Sequence, residues 1–222
     1  MNFELARHNM VEQQIRPWDV LDSAVLETLN TVHREDFVPP AHRSLAFTDM
    51  DIPLDIGGVR TGESMLSPKV EARLLQAAMP HPGDSVLEIG TGSGYMAALL
   101  ARHAERVISC EIRADLAAFA RDNLARAGFP QVSVFNRNGL DELAGGARFN
   151  LIVLSGSVPF VPDAVLAALH PGGRVVAIVG ELPVMTAQLI TRASDARYSS
   201  EPLFDTVAPS LLGFPQKDHF VF

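Results

Sequence analysis

The sequence predicts a doubly wound α/β fold, a mostly parallel sheet with helices on both faces, and three observations predict it. From residue 85 onward apolar β-rich runs alternate with helical stretches, a glycine-rich turn follows the first run, and acidic residues stand at the ends of the first two runs. Such alternation implies βαβ units joined by right-handed crossovers. The runs cover residues 85–89, 106–112, 132–136, 151–155 and 174–179, with helical stretches at 95–103, 114–127 and 162–169. After Gly180, residues 187–192 and 202–207 are weaker strand candidates, expected to pair antiparallel at the sheet edge.

Ahead of this core the pattern is helical from Phe3 to about Pro40, where Leu5, Asn9 and Met10, then Val25, Leu26, Leu29 and Val32, recur at helical spacing. Pro17 and the Pro39-Pro40 pair punctuate it into two short helices, and Asp22 is placed to cap the second. Residues 47–62 alternate and then reach Gly57-Gly58, which suits extended chain or a small hairpin. Pro68 opens a further helix whose apolar stripe, Val70, Leu74, Leu75 and Ala78, ends near Pro80.

A chain of 222 residues, 47% hydrophobic and 20% charged, suits a single domain over 1–222, with residues 1–67 as a helical and extended cap on a core at 68–222. The net charge of −8 disfavours the counterion-releasing contacts of a nucleic-acid binder. No apolar run approaches membrane-spanning length, and the N-terminus carries charges where a signal peptide needs an apolar stretch, so no membrane partner is expected. Cys110 is the only cysteine, which excludes an intramolecular disulfide and fits a reducing cytoplasm. None of this sets an oligomeric state.

The first strand and its turn read Val86-Leu87-Glu88-Ile89-Gly90-Thr91-Gly92-Ser93-Gly94. A dinucleotide fingerprint would put its third glycine at position 95, where Tyr95 stands, so NAD is disfavoured. Glu88 would repel a pyrophosphate but suits a ligand bearing an ammonium or sulfonium group. S-adenosylmethionine carries both, and it is the cofactor expected. Glu111 and Ile112 close the second strand about twenty residues on, where an acid can accept both ribose hydroxyls. Asn138-Gly139 follows the third strand, where a side chain can meet the adenine or simply form a turn.

Together with the glycine turn and Tyr95, the segments Arg34-Glu35-Asp36-Phe37-Val38-Pro39, Phe47-Thr48-Asp49 and Ile52-Pro53-Leu54 resemble the protein-L-isoaspartate O-methyltransferase family. The likeness extends to about Gly180. It implies a methyltransferase sheet with extra N-terminal elements, and esterification of the carboxylate of abnormal aspartyl residues in peptides or proteins. By resemblance Glu88, Gly90, Gly92, Ser93 and Gly94 hold the methionine portion and Glu111 the ribose, while Asn138 replaces an Asp. The family's Gly-Gln-Thr-Ile-Ser-Gln-Pro becomes Gly62-Glu63-Ser64-Met65-Leu66-Ser67-Pro68, with Leu66 in the place of a serine beside the reacting groups. Ser64 and Ser67 are the candidate replacements. The fourth-strand exit reads Leu154-Ser155-Gly156-Ser157-Val158-Pro159 where the family commonly has Ala-Ala-Pro. A peptide or protein carboxylate is therefore the acceptor the resemblance implies; a small carboxylate, or a cofactor-binding regulatory module without transfer, are the alternatives.

Methyl transfer to an ionised carboxylate needs alignment in a water-poor pocket and no general base. The seven histidines form no H-x-x-x-H pair, and no metal is expected. Gly92-Ser93-Gly94 lacks the spacing of a nucleophile elbow. His103 and His170 lie near helix ends, Trp18 reads as packing of a helix junction or as a lid, and Phe220-Val221-Phe222 as a terminal strand or interface.

Overall fold

A computed structural model describes residues 2–194 and 197–217; Phe220-Val221-Phe222 lie outside the described residues. The cap begins with α1 (Phe3–Met10), which Asn2 caps and a π-helical turn, Val11–Ile15, continues, and α2 (Ser23–Thr31) follows. Asp22 accepts from the amides of Ala24 and Val25, the N-cap expected of it. Two 3-10 turns, Arg34–Asp36 and Pro40–Leu45, were not expected; prolines at 39 and 40 deny the segment an α-helical ladder. Short strands β1 (Ile52–Pro53) and β2 (Ser64–Met65) pair antiparallel around Gly57-Gly58, so the hairpin expectation holds. Pro68 opens α3 (Pro68–Ala78).

The core then alternates as expected: β3 (Ser85–Ile89), α4 (Tyr95–Ala101), β4 (Arg106–Glu111), α5 (Ala114–Arg126) and β5 (Ser133–Asn136). Next come α6 (Gly139–Ala144), β6 (Phe149–Val158), α7 (Asp163–Ala167), β7 (Leu169–Glu181), β8 (Val184–Ser194) and β9 (Arg197–Thr206). The sheet order is β5-β4-β3-β6-β7-β8-β9, parallel through β7, with β8 and β9 antiparallel at the edge. Both edge strands are longer than the sequence suggested. Each pairs over most of its length, and that long-range pairing outweighs the polar residues that weaken their pattern.

Alternation along the strands divides the core into two layers. Val86, Val107, Leu151, Val153, Val176 and Ile178 face the layer that holds α3, α4, α5 and the cap. Leu87, Ile108, Ile152, Leu154, Val175 and Ala177 face the layer that holds Leu143 of α6 and Val165 of α7. Both faces of β3, β6 and β7 are thus buried, which is why these strands read as near-continuous apolar runs. Among the described residues no helix is long and apolar enough to cross a membrane.

Candidate active site

Strand β3 lies between β4 and β6, so the chain leaves it in opposite directions and opens a crevice at the carboxyl ends of the strands. The turn from β3 to α4 crosses that crevice with left-handed φ of 94°, 54° and 87° at Gly90, Gly92 and Gly94. At Gly90 the conformation demands glycine, and a β carbon would stand 2.6 Å from the end of the Leu211 side chain and displace it. Two adjoining hollows share Leu54, Ser64, Gly90, Gly92 and Ser155, and together form one cleft.

At one end Glu88 is fully buried. The Ser109 hydroxyl donates to its Oε2 at 2.6 Å and the Ser155 hydroxyl to its Oε1 at 2.8 Å. Because Ser109 spends its proton on Glu88, the Thr91 hydroxyl 2.5 Å away must donate to Ser109. Burial pushes the Glu88 carboxyl up to about 7, against the pull of the two serines. A cation in the smaller hollow, which Glu88 lines, would offset that desolvation and restore the ionised form.

At the other end Glu111 accepts from the Gly92 amide at 2.9 Å and the Arg113 amide at 3.0 Å. Glu111 lines the larger hollow, and each of its carboxylate oxygens can accept one more hydrogen bond, which is the acceptor pair a ribose diol needs. Ile112 and Ile89 give that end apolar walls, and Gly139 backs Ile89 so closely that a β carbon would fall 2.5 Å from it. Asn138 is differently engaged: its Oδ1 caps α6 by accepting from Leu140 at 3.0 Å, and its Nδ2 donates to the Gly213 carbonyl at 3.3 Å. Asn138 is not among the residues that line the hollow.

Of the two candidate serines, Ser64 lines both hollows. Ser67 sits at the start of α3 with its amide on Asp51 Oδ1 at 2.7 Å, and lines neither. Leu66 is buried and walls the smaller hollow, as does Ser93. Trp18 lines neither hollow and is not buried at a helix junction: it is exposed, meets Phe204 of β9 edge-on at 6.3 Å and carries Lys69 4.1 Å above its ring. His103 bonds Thr28 at 2.8 Å, away from the cleft.

Sequence reasoning missed Ser109, Ser155, Glu63, Glu71 and the segment after β9. Ser109 stands opposite Glu88 in the β3/β4 register, and Ser155 follows Leu154, which stands opposite Ile89. The strand-exit position of Ser155 was a usable signal; the others depend on register. Glu63 reaches the larger hollow, its carboxyl raised by burial and then by Glu111. Pro209, Ser210 and Leu211 roof the cleft, held by the Ser157 amide on Pro209 O at 2.7 Å and the Leu211 amide on Ser157 O at 2.9 Å. No basic side chain and no histidine lines either hollow, and the described residues contain no metal-ligating group of three.

Comparison with known proteins adds three findings. The family model described as protein-L-isoaspartate(D-aspartate) O-methyltransferase matches residues 6–207. Proteins named protein-L-isoaspartate O-methyltransferase from Koribacter versatilis and Marinobacter nauticus are 36% and 38% identical to this chain over 211 and 208 residues. Those matches cover 95% of this chain and 92% of the first relative, and 93% of both chains for the second. A Plasmodium falciparum structure described as a protein-L-isoaspartate O-methyltransferase, in complex with S-adenosyl-L-homocysteine, superposes with a TM-score of 0.77 at 19% identity. It covers 95% of this chain and 98% of its own, and that likeness carries the fold.

Proposed function

The chain belongs to the protein-L-isoaspartate(D-aspartate) O-methyltransferase family and is an S-adenosylmethionine-dependent methyltransferase, and on that premise we propose that it esterifies an isoaspartyl-type carboxylate on a peptide or protein. The observation that carries the reading is the pair of carboxylates at opposite ends of one glycine-floored cleft, Glu88 fully buried and Glu111 nearly so. In this reading Glu88, with Gly90, Thr91, Gly92, Ser93 and Gly94 around it, holds the methionine portion. Glu111 takes the ribose, and Ile89, Ile112 and Gly139 form the apolar end. The cofactor supplies an electrophilic methyl group on a good leaving sulfur.

The chain's own part is alignment and the exclusion of water. An acceptor carboxylate arrives ionised at neutral pH, which agrees with a cleft lined without histidine or lysine. Ser64 is the hydroxyl available to orient it, and Ser67, whose side chain makes no cap bond to α3, is the second candidate. The chain works as one unit, residues 1–67 capping 68–222, and the cytoplasm is its place. Leu66 supports a second reading, a cofactor-binding module without efficient transfer, because hydrocarbon replaces the family's hydroxyl at the wall of the smaller hollow.

A methyl-acceptor assay with an isoaspartyl peptide, its aspartyl counterpart and small carboxylic acids decides between them. Slow methylation of the isoaspartyl peptide is expected, with Leu66→Ser ten- to a hundredfold faster, since a buried polar atom without a partner costs about 1–3 kcal/mol. Cofactor binding with no ester from either protein would favour the second reading. Efficient native turnover, undiminished in Ser64→Ala and Ser67→Ala, would overturn the role given to Leu66.

A further inference from the structure

Arg34 has no part in the chemistry above, yet it touches the acceptor end of the cleft from behind. Its side chain is completely buried. Nε donates to the Ala46 carbonyl at 3.0 Å, Nη2 donates to the Leu66 carbonyl at 2.7 Å, and Nη1 pairs with Glu71. The guanidinium carbon lies 5.1 Å from the centre of the Tyr95 ring. One cation thus joins the cap, the strip that ends at Leu66, helix α3, and the first residue after the glycine turn. Glu71 is the member of the ion pair that reaches the smaller hollow, where it stands with Glu88, Ser64 and Leu66.

The neighbouring residues brace the other side of the same turn. Phe37 packs against Tyr95 with ring centres 5.4 Å apart. Its carbonyl accepts from Asn123 Nδ2 at 3.4 Å, and the same nitrogen donates to the Ser93 carbonyl at 3.0 Å. A buried ion pair contributes little net stability over an apolar pair of the same volume, but a guanidinium fork serving three fixed acceptors admits essentially one arrangement.

We propose that Arg34 and Glu71 are positioning residues for methyl transfer, which set the Ser64–Met65 strand and Leu66 against the glycine turn and so fix the seat of the acceptor. The inference rests on the reading that the acceptor occupies the Ser64 end of the cleft. The anchors proposed for the cofactor, Glu88 and Glu111, lie on the core strands and make no bond to Arg34. The two binding events therefore respond differently when the brace is loosened.

Arg34→Lys keeps a cation for Glu71 but is too short of donors in a planar fork to hold the Ala46 and Leu66 carbonyls as well. The expected result is a fall of tenfold or more in kcat/KM for the acceptor, with cofactor Kd within twofold of the native protein. Unchanged acceptor kinetics, or a parallel loss of cofactor affinity, would overturn the proposal. Arg34→Gln, which loses the fork but can still donate to Glu71, serves if Arg34→Lys does not fold, with the same split expected and the same results counting against it. Amide exchange over residues 64–67 reads the brace without any acceptor. Exchange at least tenfold faster there in the variant, with residues 90–94 unchanged, supports the proposal; equal exchange at 64–67 contradicts it whether or not an acceptor is ever methylated.

Discussion

In the proposed site Glu88 is the residue that gives binding its pH dependence, because its burial and its serine neighbours act in opposite directions. Desolvation raises its carboxyl to about 7, two serine hydroxyls stabilise the ionised form, and Glu111 opposes it. A cationic ligand selects the ionised form, so below pH 7 binding must first expel a proton. Affinity for S-adenosylmethionine is therefore expected to fall as pH drops from 7 to 5, by roughly fifty-fold if only the ionised fraction binds. The ligand's own ammonium stays charged over that window, since an α-amino group titrates near 7.7–8.0. Glu63, raised by burial, faces the same cleft, so the diagnostic comparison is Glu88→Gln: weaker binding overall and a nearly flat profile. A native profile flat from pH 5 to 7 would remove Glu88 from the cation's site. The placing of Glu88 and Glu111 at the cleft was legible in the sequence, because both stand near the ends of strands that meet at the glycine turn. Ser109 was not, since only the β3/β4 register brings it beside Glu88.

Among the elements, α6 was the one the sequence hid. It is six residues long and opens on Asn138-Gly139, a pair that also reads as a turn, and its burial rests on Gly139 and Leu143. Its entry into the fold is tight: a β carbon on Gly139 would stand 2.5–2.8 Å from three atoms of Ile89, the apolar floor of the larger hollow. Gly139→Ala is expected to cost about 1–3 kcal/mol as overpacking, lowering Tm by several degrees, with part recovered in Gly139→Ala/Ile89→Val. Gly145→Ala, at the end of the same helix with open space around it, should be near neutral. Thermal unfolding that did not separate the two glycines would show that α6 tolerates displacement from β3. The strands were legible in place but not in length. Residues 151–155 and 174–179 carry the apolar signal, while the extensions to Phe149–Val158 and Leu169–Glu181 include Gly156 and Pro171-Gly172, which fall in the irregular stretches of the β6/β7 ladder and give no strand signal of their own.

At the scale of the whole molecule, a parallel core supplies a crevice at its switch point, an N-terminal cap walls one side of it, and the segment after β9 roofs it. The core and the cofactor end were readable from periodicity, the glycine turn and two acids. The acceptor end was readable only as a departure, Leu66 in place of a serine, because its walls come from residues far apart in the chain: Ser64, Glu71, Ser155 and Leu211. The proposed function therefore stands first on the ligand of the crevice. Calorimetric titration of the native protein with S-adenosylmethionine, its demethylated product and NAD tests it most directly. Saturable one-site binding of the two methionine-derived nucleosides is expected, weakened about tenfold or more in a folded Glu111→Ala variant as charge-assisted hydrogen bonds are lost, with no response to NAD. Saturable binding of NAD with no response to either nucleoside would contradict it.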